Sequence, residues 1–362
     1  MTHLIAIVGP TAAGKSTLGV SLARRFGGEI VACDSTQVYR GFDIGTAKPT
    51  VSERQGVPHH LIDLIEPAEL FTAADYRRRA MDVLEDLRRR GRLPIFTAGT
   101  GLYLRALLAG LSDAPARSSA FRARLDAIAA RRGAGHLHRL LRRVDGAAAV
   151  RISPQDAQKL VRALEIRFLT GKPLSDVYRA GRAPLEGYMP LKIGLNPPRA
   201  LLYERIEKRT HAMLDRGWRG EVESLLASSK APRQATAAVP ILDAGPDSGR
   251  NTGPLGGPDT DEVPLTKPAA SPALTKPFEF IGYREMRAHI ESGKPLPETI
   301  AAIAQATRRY AKRQLTWFRK EPGVQWFSGF GDDPEIAAAV AAEIARYLAS
   351  NAAPPVTPLA KY

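Results

Sequence analysis

Residues Gly9 to Ser16 read Gly-Pro-Thr-Ala-Ala-Gly-Lys-Ser, preceded by the apolar run Leu4-Ile5-Ala6-Ile7-Val8 and followed by a helix-like stretch from Thr17. A glycine-rich turn between a strand and a helix is the setting of a phosphate-binding P-loop, and a chance turn would lack one flank or the other. Gly9 and Gly14 let the backbone of Pro10, Thr11, Ala12 and Ala13 turn so that successive N–H groups share one concavity. The helix N-terminus adds partial positive charge there. Lys15 is suited to neutralising terminal phosphate oxygens, and the Ser16 hydroxyl to holding Mg²⁺ or a phosphate oxygen.

Two further apolar runs, Glu29 to Cys33 and Leu93 to Ala98, end at Asp34 and at Gly99-Thr100, with helical patterns at Ala73 to Arg90 and Leu102 to Leu111. Strands alternating with helices predict an α/β fold, a parallel sheet flanked by helices, whose ligands collect at the strand carboxyl ends. Gly14, Asp34 and Thr100 are therefore expected around one cleft. From about Ser112 the strand signal gives way to Arg- and Ala-rich helical patterns at Phe121 to Arg132, His136 to Arg143 and Asp156 to Thr170. The strand-like Leu191 to Leu195 then leads into a helix from Pro198 to Arg216, closed by Gly217.

This divides the chain into a first part of the core (1–111), a helical insertion domain (112–190) and a continuation of the core (191–230). A Pro/Gly-rich insertion (231–277), a core segment with basic helices (278–350) and a flexible tail (351–362) follow. The composition of 231–277 cannot bury enough apolar surface to offset its ordering entropy, which predicts a disordered linker.

Among 362 residues, 52 are Lys or Arg and 37 are Asp or Glu, a formal charge of +15. That excess makes a polyanion larger than a nucleotide a serious partner. The single cysteine, Cys33, excludes an internal disulfide and is expected in the core. Leu4 to Val8 is too short for a signal peptide or a membrane span, so a cytoplasmic protein is expected. Adjacent His59 and His60 would point to opposite faces of a strand, and His136 and His138 are poorly placed on a helix. No zinc site is expected.

The stretch Asp34-Ser35-Thr36-Gln37-Val38-Tyr39-Arg40-Gly41-Phe42-Asp43-Ile44-Gly45-Thr46-Ala47-Lys48-Pro49 carries a recognisable pattern. With the P-loop, Pro58 to Asp63, Ala98 to Tyr103, Asp156 to Glu165, Arg205 to Arg209, Ile281 to Glu285 and Ala311 to Arg319, it resembles the bacterial tRNA dimethylallyltransferases, also called tRNA isopentenyltransferases. The blocks stand in that family's order across nearly the whole chain. The resemblance implies a P-loop kinase-like fold whose helical insertion domain (112–190) faces RNA. It also implies transfer of the dimethylallyl group of dimethylallyl diphosphate to N6 of the adenosine just 3′ of the tRNA anticodon, with Mg²⁺.

By the same resemblance, catalysis falls to Asp34, Lys15, Ser16 and Arg209, with Ser16 toward the metal. Contacts to the tRNA anticodon stem-loop fall to Asp34-Ser35-Thr36-Gln37, Thr100, Arg122, Gln158-Lys159-Leu160-Val161-Arg162, Gly282-Tyr283-Arg284 and Lys312-Arg313-Gln314-Leu315-Thr316-Trp317-Phe318-Arg319. A monomer is expected. Lys159 stands where the family commonly has arginine and lacks its planar fork.

The chemistry fits the residues independently. An exocyclic adenine amine has its lone pair delocalised into the ring, so a base must take its proton as the N–C bond forms, and Asp34 is the candidate. A strand-end carboxylate also serves as a metal ligand or helix cap. Thr100 can equally cap the helix that begins near Leu102. At 100° per residue, Arg308, Arg309, Lys312, Arg313, Arg319 and Lys320 share one helical sector, with Ala304, Ala311, Leu315 and Phe318 on the other side. This sector is either a solvated face or an RNA-phosphate stripe, and the net charge favours RNA. Three other functions use the same P-loop: a small-molecule kinase, a prenyl transferase acting on free adenine nucleotides, and a non-catalytic RNA-binding protein. Release of diphosphate rather than γ-phosphate, and formation of prenylated RNA, separate them.

Overall fold

Four apolar runs become four neighbouring strands because a parallel sheet covered by helices on both faces needs strands that are hydrophobic all along. The computed structural model describes residues 1–112, 114–115, 117–179, 183–230 and 276–350. In chain order the elements are β1 (Thr2–Val8), α1 (Lys15–Phe26), β2 (Gly28–Cys33), α2 (Val51–Arg54), β3 (His59–His60), α3 (Ala73–Arg89), β4 (Leu93–Ala98) and α4 (Gly101–Leu108). Then come α5 (Ser119–Arg132), α6 (Ala134–Val144), α7 (Gly146–Arg151), α8 (Ala157–Thr170) and α9 (Leu174–Arg179). The chain returns through β5 (Tyr188–Leu195), α10 (Arg199–Asp215) and α11 (Trp218–Lys230), a 3-10 turn (Lys276–Glu279), α12 (Tyr283–Ser292), α13 (Leu296–Phe318), β6 (Val324–Phe327) and α14 (Pro334–Ser350).

The six strands lie in the order β3-β2-β4-β1-β5-β6, every pairing parallel. Alternate residues serve opposite faces. Leu4, Ala6 and Val8 of β1 join Cys33, Phe96, Tyr76, Leu104 and Phe318 in one hydrophobic cluster. Ile5 and Ile7 join Leu18 and Leu22 of α1 and Val340 and Ile344 of α14 in the other. Cys33 is fully buried, as expected, and burial pushes its thiol up to about 12. Among the described residues no helix is long and apolar enough to cross a membrane.

Helices α5 to α9 pack around their own cluster, including Leu125, Leu137, Leu141, Leu160, Leu164 and Val177. The expected end of this insertion at residue 190 falls inside β5, which begins at Tyr188. The edge strands β3 and β6 are too short to show a pattern in sequence. The expected linker 231–277 and tail 351–362 lie outside the described residues, except that Lys276 and Pro277 open the 3-10 turn. Helix α13 ends at Phe318, so Arg319 caps it and Lys320 lies in the following turn. The cationic sector is thus shorter on the helix than the 100° spacing implied.

Candidate active site

Because all strands run the same way, the P-loop after β1, Asp34 after β2 and Gly99-Thr100 after β4 emerge on one edge of the sheet. They surround a cavity of about 400 Å³ lined by Thr11 to Thr17, Asp34, Gln37, Thr46, Gly99, Arg205 and Arg209, among others. Gly14 precedes α1 at φ 83°, a left-handed conformation that strains any residue with a Cβ. Helix α1 has no side-chain cap and no acidic residue in its first turn, which leaves its first amides for an anion.

Lys15 Nζ donates to the carbonyls of Gly9 (3.0 Å) and Pro10 (2.7 Å), folding over the loop. Burial draws its ammonium down to about 8; Asp34 opposes that fall and Arg209 adds to it. From α10, Arg209 donates to Thr11 Oγ1 at 2.7 Å. Burial, then the neighbouring Arg205, draws it down to about 10 against the pull of Asp34. Two cations partly stripped of water thus face the carboxylate of Asp34, an arrangement that an entering anion completes.

Asp34 is oriented by its own strand end. Its Oδ1 accepts from Thr36 N (2.9 Å) and Thr36 Oγ1 (2.7 Å). Its Oδ2 lies against Gly99, where a Cβ would come within 2.4 Å, so only glycine allows the approach. Thr36, expected at RNA, here fixes the carboxylate. Thr100 occupies the N-cap position of α4 but makes no capping bond. Instead Thr100 Oγ1 accepts from Ser35 N (2.9 Å) and donates to Ser35 Oγ (3.2 Å), tying the ends of β2 and β4 together. Gln37 Nε2 donates to the carbonyls of Thr46 and Ala47.

The expected RNA residues are divided by the fold. Gln158 and Lys159 are exposed on α8, Lys159 paired with Asp156 at 2.5 Å. Leu160 and Val161 are buried in the insertion's core, so their side chains pack rather than face RNA. Arg122 and Arg162 both pair with Glu165, a fully buried carboxylate. Burial opposes its ionisation, yet the two guanidiniums and Ser118 N–H hold it down at about 2. Tyr283 is buried too: it donates to Glu221 Oε1 (2.6 Å) and accepts from Gly45 N (3.1 Å), while the preceding Gly282 is buried and Arg284 is exposed.

On α13, Lys312, Arg313, Thr316 and Trp317 are exposed, as is the capping Arg319; Leu315 is half-buried and Phe318 is core. Gln314 departs most from expectation. Its Oε1 accepts from Thr11 N (2.7 Å) and its Nε2 donates to Gly99 O (2.8 Å), so it braces the P-loop against the end of β4.

His60 Nε2 bonds to Glu29 Oε2 and His138 Nε2 to the Ala149 carbonyl. Arg205, part of the Arg205 to Arg209 block but given no role of its own, lines the cavity and pairs with Asp332, which no sequence motif marked. Arg205 had a signal, being four residues before Arg209 on one helix face; Asp332 had none.

A family model described as IPP transferase matches residues 37–244 and 260–321. The chain belongs to the IPP transferase family. Among curated relatives, the tRNA dimethylallyltransferase of Solibacter usitatus is 44% identical over 345 residues, covering 95% of this chain and 99% of that one. That of Koribacter versatilis is 43% identical over 92% of this chain and 95% of its own. The crystal structure of the full-length tRNA isopentenylpyrophosphate transferase from Bacillus halodurans covers 97% of this chain and 98% of its own, at 34% identity and a TM-score of 0.62. A eukaryotic dimethylallyltransferase solved acting on tRNA shares the fold, with a TM-score of 0.71 over 98% of this chain and 81% of its own at 24% identity.

Proposed function

We propose that this IPP transferase family member moves the dimethylallyl group of dimethylallyl diphosphate onto N6 of the adenosine just 3′ of a tRNA anticodon and releases diphosphate. The observation that carries this reading is the pair of half-buried cations, Lys15 and Arg209, facing Asp34 across one P-loop cavity. The N6 lone pair attacks the allylic carbon, the carbon–oxygen bond breaks, and its electron pair leaves with diphosphate. The α1 amides, Lys15 and Arg209 meet the charge that grows on this leaving group, usually the largest catalytic contribution. The N6 proton passes to Asp34. Its Oδ2 is the acceptor, since Oδ1 already takes two bonds from Thr36 and no described residue donates to Oδ2.

The donor set suits Mg²⁺, which takes one or two protein oxygens and completes its shell with phosphate and water. Among the described residues no three His, Cys, Asp or Glu side chains cluster as a metal cage, whereas the exposed Ser16 hydroxyl lines the cavity beside the loop amides. Mg²⁺ held there would neutralise diphosphate charge. The target adenine is extruded from the anticodon loop to reach the cavity, at a cost of roughly a few kcal/mol. The exposed Lys312, Arg313 and Arg319 are the phosphate contacts that receive the stem-loop, and the reaction belongs in the cytoplasm.

The test is nucleoside mass spectrometry of tRNA after incubation with the full chain, Mg²⁺ and dimethylallyl diphosphate. N6-(dimethylallyl)adenosine with stoichiometric diphosphate supports the reading. Release of γ-phosphate from ATP with unmodified tRNA overturns it in favour of a kinase.

A further inference from the structure

Arg205 and Arg209 lie on one face of α10 and both line the P-loop cavity, yet they are held differently. Arg209 has a neutral partner, the hydroxyl of Thr11. Arg205 is gripped by a carboxylate, with Nη1 and Nη2 donating to the two oxygens of Asp332 at 2.8 and 2.7 Å. Its guanidinium carbon also lies 4.7 Å from the ring centre of Phe330. The segment carrying Phe330 and Asp332 is seated on the loop itself. Gly331 N donates to Ala13 O at 2.8 Å, and Asp332 Oδ1 stands where a Cβ on Gly14 would be, within 2.4 Å. An acidic side chain therefore sits beside the amides that the diphosphate must approach.

We propose that Arg205 is a second guanidinium for the donor's diphosphate and that Asp332 is its exchangeable counter-ion. Asp332 holds the fork at the cavity mouth, yields it when the diphosphate binds, and takes it back as the product leaves. The proposal rests on the diphosphate reading of the cavity. Three features support the exchange. The planar fork matches phosphate as well as carboxylate, so Arg205 stays paired in either state. Both side chains are 35% exposed, so water and salt weaken the pair enough for a multiply charged anion to displace it. The fixed negative charge of Asp332 next to Gly14 also repels a bound diphosphate, which favours release. Arg205 would touch substrate, while Asp332 is a positioning residue acting through it.

The experiment is calorimetric titration of inorganic pyrophosphate into the full chain without tRNA, for wild type, Arg205→Gln, Asp332→Asn and the double variant, with Lys15→Ala as control. Arg205→Gln is expected to weaken pyrophosphate about tenfold or more, the effect of one charged hydrogen-bonded contact. Asp332→Asn is expected to tighten it severalfold, since the guanidinium is freed and the repulsion removed, and most of that gain should vanish in the double variant. In turnover, Asp332→Asn should lower kcat together with KM for the donor, a pattern that damage to the fold does not produce. An unchanged affinity in Arg205→Gln, or an affinity in Asp332→Asn equal to or below wild type, overturns the proposal. Loss of binding in Lys15→Ala shows that the diphosphate reading stands regardless. If Lys15→Ala and wild type bind pyrophosphate equally, that reading fails and this proposal with it. Should Asp332→Asn not fold, Asp332→Ser is read by the same criteria.

Discussion

Replacing Gln314 by leucine separates two roles that the same position can play. The side chain is 5% exposed, and leucine has nearly its volume without its polar atoms. The change removes the acceptor of Thr11 N–H and the donor to Gly99 O; the latter keeps only Tyr310 Oη at 3.4 Å. A stranded buried polar group costs about 1–3 kcal/mol. Thr11 is half-buried, so water relieves part of its loss, and Gly99 retains a long contact. The expected destabilisation is therefore about 2 kcal/mol, near the low end for two groups. It is concentrated in the P-loop, so the KM for dimethylallyl diphosphate should rise by about tenfold while tRNA affinity changes little. Denaturant unfolding, donor kinetics and fluorescence anisotropy of labelled tRNA measure the three quantities. A tenfold loss of tRNA affinity with stability and donor KM unchanged would refute the bracing role and return Gln314 to the RNA surface.

Asp34→Asn should bind both substrates and lose about 10²–10⁴ in single-turnover rate, the usual general-base contribution; a rate near wild type removes Asp34 as the base. Lys15 gives a pH dependence with a definite sign. Its ammonium, drawn down by burial to about 8, is charged below that value and neutral above it, so pyrophosphate affinity should fall as pH rises through about 8. That component should be absent from Lys15→Ala; its persistence there assigns the titration elsewhere. For stability the sign is reversed, because the unfolded lysine binds its proton up to a higher pH and the cost of the buried ammonium is relieved as pH rises above about 8. Charge reversal of the exposed Arg309, Lys312 and Arg313 together should weaken tRNA binding and flatten its log–log salt slope by roughly 0.7–0.9 per lost phosphate contact. An unchanged slope makes that sector a solvated face.

The sheet was legible where local sequence carries the whole signal. Leu4 to Val8 is apolar throughout, and Leu93 to Ala98 apolar but for Thr97, because both faces are covered, and the P-loop between β1 and α1 is a contiguous motif. Short edge strands were not: His59–His60 and Val324–Phe327 owe their conformation to pairing with β2 and β5. Thr100 shows how a local rule loses to a tertiary contact, since its cap position is real but its hydroxyl is claimed by Ser35. Motif reading treats every residue of a block as one surface. Helical geometry divides such a block, which is why Leu160, Val161 and Phe318 are core while their neighbours are exposed. Asp332 was invisible because its place beside Gly14 depends on the segment after β6 returning to the first loop of the chain.

That return governs how the protein matures during synthesis. The P-loop leaves the ribosome well before α13, so Thr11 N–H finds its partner only 303 residues later, on Gln314, and the Ala13 carbonyl waits for Gly331. The donor pocket is begun by one segment and closed by another that follows 303 residues later. A nascent chain interrupted before α13 therefore carries the phosphate-binding signature without the brace that shapes it, and it should neither sequester dimethylallyl diphosphate nor compete with finished enzyme for it.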